Sequence, residues 1–136
     1  DLVLPNATEA ALLLGRPYAE PAGPEDAKAL ADAVQQALGC KNAVVTGMPI
    51  GRYLYCAGAG EEAFVCRQLH AERSFPGTGD LFGAVLISRL SMGNALSAAT
   101  EAAAAFVADC ITNTPADADT RQGVCFEPQL WHLAAR

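Results

Sequence analysis

The sequence predicts an α/β fold, and three observations carry that prediction. Two short apolar runs, Asp1–Leu4 and Asn42–Gly47, flank a helical pattern of 3.6-residue period, as in a βαβ unit. Two more strand-like runs lie on either side of a glycine-rich hexapeptide, the arrangement of a β-hairpin. Beyond residue 80 the apolar segments are too long for strands and read as buried helices. With 136 residues, 51% of them hydrophobic and 18% charged, the chain has material for one core and no signature of disorder.

Asp1-Leu2-Val3-Leu4 reads as a short buried strand. Asn6, Ala7 and Thr8 then lead into a short helix, Glu9–Leu14, which Gly15 and Pro17 end by the usual stop chemistry. Residues 24–38 form the clearest helix, with Pro24 at its first position, Glu25 and Asp26 facing the positive end of the dipole and Gly39 past its end. Ala27, Leu30, Ala31, Val34 and Leu38 share one face and mark it as a packing helix; Lys28 and Asp32 read as its solvated side. Asn42–Gly47 reads as a buried strand that stops at Gly47. Tyr53–Cys56 and Ala63–Cys66 pair as a hairpin at the sheet edge around Ala57–Glu62, which reads as a turn, since it lacks the Lys-Ser/Thr of a P-loop. A helix starting at about Thr78 to Asp80 continues through Leu81–Leu90, and Met92-Gly93-Asn94 separates it from another over Ala95–Ile111. Both are apolar around most of their circumference, as buried helices are. Thr114–Thr120 reads as a polar loop, Gly123–Phe126 as a short strand and Pro128–Ala135 as a last helix carrying Trp131.

Charge and cysteine content narrow the function classes. A formal net charge of −6, with nine dispersed basic residues, argues against a nucleic-acid partner, because a phosphate backbone is bound through clustered Lys and Arg. An anionic nucleotide would have to be held locally, by backbone N–H groups and a divalent cation. The five cysteines are odd in number and have no C-x-x-C spacing; they read as reduced structural thiols in a cytoplasmic setting, not as a zinc site. The sequence has no signal peptide and no apolar run of about 20 residues, so no membrane association is expected.

Two stretches carry candidate chemistry. In Phe75-Pro76-Gly77-Thr78-Gly79-Asp80, the glycines bare the backbone at a helix start, where unpaired N–H groups and the dipole attract phosphate. Asp80 repels an anion there unless it has a use, and accepting the proton of an attacking hydroxyl is one; capping the helix is another. Asn6 and Glu9 stand three apart, the spacing of a capping box, which by itself marks a helix start with no ligand. Thr46 lies at the carboxyl end of a strand, where open α/β sheets gather ligands, or satisfies a turn. His70 reads as a solvated loop residue.

Asn6-x-x-Glu9 followed by Gly77-x-Gly79-Asp80 resembles the pyridoxal kinase branch of the ribokinase-like superfamily over nearly the whole chain, through Glu127-Pro128-Gln129-Leu130. The resemblance implies a Rossmann-type three-layer sandwich, with residues 1–136 as the C-terminal nucleotide-binding and catalytic portion of a single kinase domain whose N-terminal half lies outside this chain. It implies ATP-dependent phosphorylation of the 5′-hydroxymethyl group of a B6 vitamer in a salvage reaction, with Mg2+, in a homodimer. Asp80 would be the catalytic base, and Gly77, Thr78 and Gly79 the anion hole. Thr46 and Glu9 would contact the nucleotide, with Asn6 and Glu9 organising Mg2+ through water. Kinases of hydroxymethylpyrimidine share the fold and the Asn-x-x-Glu, but many carry a cysteine at the position of Asp80, so Asp80-Leu81-Phe82 favours the B6 branch. A nucleotide-binding fragment without turnover is the alternative from another class, with an unpaired sheet edge open to another chain.

Overall fold

In the computed structural model, which describes residues 1–134, the first strand has only two residues, Leu2–Val3 (β1). It runs parallel to Asn42–Ile50 (β2), with Leu2 beside Asn42 and Val3 beside Ala43. Parallel neighbours need a crossover, and Ala7–Leu13 (α1) with Pro24–Leu38 (α2) supply it. Tyr53–Gly60 (β3) and Phe64–Leu69 (β4) follow antiparallel, giving the sheet order β1-β2-β3-β4. These elements form one of two compact units, Asp1–Leu69 and His70–Arg136.

The core of the first unit is small-residue packing. Ala27, Ala31 and Val34 of α2 lie in one cluster with Ala43, Val45 and Met48 of β2 and Tyr55, Ala57 and Ala59 of β3, all buried. Alanines on both surfaces let helix and sheet backbones approach closely, and each fully buried Val or Met contributes roughly 1.5–3 kcal/mol. Leu38, expected on the packed face, is exposed at the helix end, where Gly39 turns the chain with φ 62°.

Two strand expectations in this unit need correction. β2 does not stop at Gly47 but continues to Ile50, because a bulge between Val45 and Met48 absorbs Thr46 and Gly47, the latter at φ 70°. Pro49 is tolerated there because it pairs only with Leu54; β1 reaches no further along β2 than Ala43, so the missing N–H deprives no described strand. A turn at Gly51-Arg52 then joins β2 to β3. Ala57–Gly60 is likewise strand and not turn. A Cβ on Gly58 would collide with the Phe64 ring, so the aromatic ring opposite fills the space that glycine leaves.

In the second unit, Thr78–Ser91 (α3) and Leu96–Asn113 (α4) pack on one another, as the break at residues 92–94 predicts. Their burial is one-sided: Phe82, Val85 and Leu86 are buried, whereas Ile87 is 65% exposed. Gly123–Phe126 forms no strand; the Cys125 N–H donates instead to Thr114 Oγ1 at 2.9 Å. Thr114–Thr120 is irregular until Thr120, where a 3-10 turn, Thr120–Gln122, begins. A second such turn, Glu127–Gln129, precedes Trp131–Ala134 (α5), and Ala135, expected to end that helix, lies outside the described residues. No disulfide forms among the described residues, and no described helix is long and apolar enough to cross a membrane.

Candidate functional site

The first unit brings Asn6, Glu9 and Thr46 together just past the carboxyl end of β1; Thr46 itself, expected at a strand end, lies within β2 at the bulge, because β2 continues to Ile50. After β1 the chain stays beside β2 for three more residues: the Thr46 N–H donates to the Pro5 carbonyl at 3.0 Å, and Asn6 and Thr46 form an isolated parallel bridge. Asn6 is also the N-cap of α1. Its Oδ1 accepts the Glu9 N–H at 2.8 Å, while Glu9 Oε2 accepts the Asn6 N–H at 2.9 Å, a complete capping box. Both residues are exposed and Thr46 is half-buried. Capping occupies one oxygen of each side chain and leaves Glu9 Oε1 without a partner among the described residues.

That donor set suits a magnesium ion held through water and not one caged by protein. Mg2+ typically keeps several waters and takes one or two carboxylates plus phosphate oxygens. Among the described residues, no three His, Cys, Asp or Glu side chains converge as a metal site; Asn6 and Glu9 place one amide oxygen and one exposed carboxylate side by side.

The second unit holds the glycine-rich turn. Gly77 is the N-cap of α3 at φ 84°, a conformation that favours glycine, and no side chain caps the helix. The first intrahelical bond runs from the Leu81 N–H to the Gly77 carbonyl at 3.0 Å, so the N–H groups of Thr78, Gly79 and Asp80 precede it at the positive end of the dipole. The Thr78 hydroxyl lies 3.5 Å from the Phe75 carbonyl. Asp80 sits in the first turn, exposed, and no described residue hydrogen-bonds or ion-pairs with its carboxylate. Side-chain capping by Asp80 is therefore not made; the favourable interaction with the dipole remains.

The residue that anchors this turn carries no mark in the sequence. Arg73 donates to the carbonyls of Ile111, Thr114 and Pro115 at 3.1, 2.7 and 3.0 Å, satisfying the end of α4, while its guanidinium lies 4.9 Å from the centroid of the buried Phe75 ring. Phe75 immediately precedes Pro76-Gly77, so Arg73 ties the turn to α4. Gly123 lies against the same turn, since a Cβ there would stand 3.2 Å from the Pro76 carbonyl. No local pattern marks Arg73, because its acceptors are about 40 residues away. His70 is exposed, as expected of a loop residue.

A family model described as phosphomethylpyrimidine kinase matches residues 1–124. Among solved structures, a putative phosphomethylpyrimidine kinase from Bacteroides thetaiotaomicron, crystallised with pyridoxal, is 25% identical with a TM-score of 0.88, over 98% of this chain and 49% of that one. Pyridoxal kinase from Lactobacillus plantarum is 31% identical, with a TM-score of 0.84 over 99% of this chain and 49% of that one. Pyridoxal kinase from Staphylococcus aureus in complex with AMP-PCP is 25% identical, with a TM-score of 0.75 over 92% and 46%. The chain thus spans about half the length of these relatives, and its α/β fold matches the C-terminal half of the ribokinase-like kinase fold. No curated protein matches the sequence at a significant level.

Proposed function

The chain belongs to the phosphomethylpyrimidine kinase family, and we propose that the whole protein transfers the γ-phosphoryl group of ATP to the 5′-hydroxymethyl group of a B6 vitamer. The observation that carries this reading is the open first turn of α3, with an unengaged, exposed carboxylate beside uncapped backbone N–H groups. A Cβ built on Gly79 would meet open space, so nothing in the fold itself requires glycine there. A bare backbone that an incoming phosphoryl group can approach supplies the reason.

The residues then divide the work. Asp80 accepts the proton of the attacking hydroxyl, and because it carries no hydrogen bond to a described residue its lone pairs are available for that. The amides of Gly77, Thr78 and Gly79 take up charge on the transferred group, at the positive end of α3. Asn6, Glu9 and Thr46 orient the nucleotide phosphates, and the free oxygen of Glu9 would hold magnesium through water. Magnesium, when bound, would neutralise phosphate charge. A homodimer of the complete enzyme belongs to the same proposal.

The family description, phosphomethylpyrimidine kinase, favours a second class of acceptor, hydroxymethylpyrimidine or its phosphate. Whole protein supplied with Mg2+-ATP and each acceptor in turn decides between them by kcat/KM. The B6 reading expects pyridoxal to be preferred. A preference for hydroxymethylpyrimidine would replace it, and transfer to neither would leave a nucleotide-binding module without turnover.

A further inference from the structure

Cys56 of β3 and Cys66 of β4 are direct cross-strand partners in the antiparallel ladder, so both side chains stand on one face of the sheet. Directly opposed residues have Cα atoms roughly 4.5–5.5 Å apart, inside the roughly 4.4–6.8 Å that a disulfide spans. Both are thiols in this structure, Cys56 buried and Cys66 half-buried. On its other side, Cys56 faces the bulge. Ala57 pairs with Val45 and Tyr55 with Met48, which leaves Cys56 opposite the two residues Thr46 and Gly47. The Cys56 sulfur hydrogen-bonds to the backbone of Gly47 and to the Cys66 thiol.

We propose that Cys56 and Cys66 form a reversible dithiol–disulfide site whose oxidation state is transmitted to the Thr46–Gly47 bulge. Cys66, the more accessible of the two, reacts first: its thiolate attacks one sulfur of a low-molecular-weight disulfide of the glutathione class and expels one thiolate. Cys56 then loses its proton to solvent and attacks the Cys66 sulfur of the mixed disulfide, expelling the second thiolate. Two protein thiols are oxidised, one external disulfide is reduced to two thiols, and the reverse exchange restores the pair. The Cys56 thiol is held well above its ordinary range, first by its hydrogen bond to Cys66 and then by burial, which keeps it inert until Cys66 is activated.

Closing the bond has a mechanical consequence. Opposed Cβ atoms in a ladder are about 4.5–5.5 Å apart, whereas a disulfide wants them at about 3.8 Å. The Cys56 sulfur is therefore drawn toward Cys66 and away from Gly47. Gly47 loses a partner in the one stretch of β2 where the regular ladder is already interrupted, and Thr46, bridged to Asn6, lies in that stretch.

Cleavage after Arg52 and Arg67 releases both cysteines in a single peptide, residues 53–67. Full-length protein is equilibrated with graded ratios of oxidised to reduced glutathione, trapped with an alkylating agent and digested; amide hydrogen exchange is measured on the same samples. The expected result is a 53–67 peptide lighter by two hydrogens and refractory to alkylation, reversed by reduced glutathione, with several-fold faster exchange at residues 46–47. Cys66→Ser and Cys56→Ala should each abolish both changes. Two alkylatable thiols throughout, or a glutathione adduct that persists on Cys66, would overturn the site. A disulfide that leaves exchange at 46–47 unchanged would overturn the coupling. Neither readout depends on the kinase reading, so the two can fail separately.

Discussion

Replacing Glu9 by Gln separates the two tasks that this side chain is asked to perform. In the capping box, Glu9 Oε2 accepts the Asn6 N–H at 2.9 Å, and the glutamine carbonyl can accept it equally. The N-cap bond from the Glu9 N–H to Asn6 Oδ1, 2.8 Å, involves only main chain on the Glu9 side and survives. What the fold loses is one negative charge at an exposed helix N-terminus, about 0.3–1 kcal/mol, or a few degrees of melting temperature at most. What magnesium loses is larger. Unit charges about 4 Å apart in water attract by about 1 kcal/mol, so a carboxylate and a divalent ion attract by about 2 kcal/mol, or about thirtyfold in affinity. The exposure of Glu9 puts it at this water-like end of the range. The assay is a magnesium titration at fixed ATP, read as melting temperature, because a ligand bound only by the folded state stabilises it by mass action. Glu9→Gln should need more than an order of magnitude more magnesium for the same stabilisation, while its nucleotide-free melting point stays within a few degrees of the parent. Coincident titrations would refute the reasoning and leave Glu9 as a helix cap alone.

Two further expectations concern stability. Thr100 in α4 is fully buried and its hydroxyl has no hydrogen-bond partner among the described residues, so Thr100→Val should stabilise by about 1–2 kcal/mol in urea unfolding; a loss of stability would mean the hydroxyl has a partner. Burial, then Asp109 and Glu127, push the Cys110 thiol from 9.0 up to about 11. A folded pKa above the unfolded one gives a contribution that is complete below about pH 9 and lost as pH rises through about 11. Cys110→Ala should flatten the decline of urea midpoints across that window, and an unchanged slope would exclude Cys110 as its source.

What could be read from sequence was what is encoded locally. Helix α2 was legible from end to end because Pro24 and Gly39 mark its limits and Ala27, Ala31 and Val34 its buried face. The Asn6–Glu9 capping box and the start of α3 at Gly77 were legible for the same reason. The errors arose where a distant partner decides. Ala57–Gly60 has the composition of a turn, yet the Phe64 ring fills the space over Gly58 and makes it strand. Pro49 and Gly47 look like terminators, yet a bulge and an edge that no described strand covers admit both to β2. Gly123–Phe126 has strand-like residues, but the hydroxyl of Thr114 takes the Cys125 N–H that a ladder would need. Arg73 was invisible because its worth lies in three carbonyls at the end of α4.

The central claim is that Asp80 accepts the hydroxyl proton, and Asp80→Asn in the complete protein tests it most directly. Asparagine keeps the size of the side chain, removes its charge and cannot act as the base. Since no described residue is bonded to the carboxylate, the fold should lose little beyond the favourable dipole interaction, about 0.3–1 kcal/mol. ATP affinity should hold or rise, because a negative charge near the incoming phosphates is gone. The account predicts a fall in kcat of about two to four decades with the melting temperature within a few degrees of the parent. Turnover within about tenfold of the parent, less than general-base catalysis contributes, would contradict it.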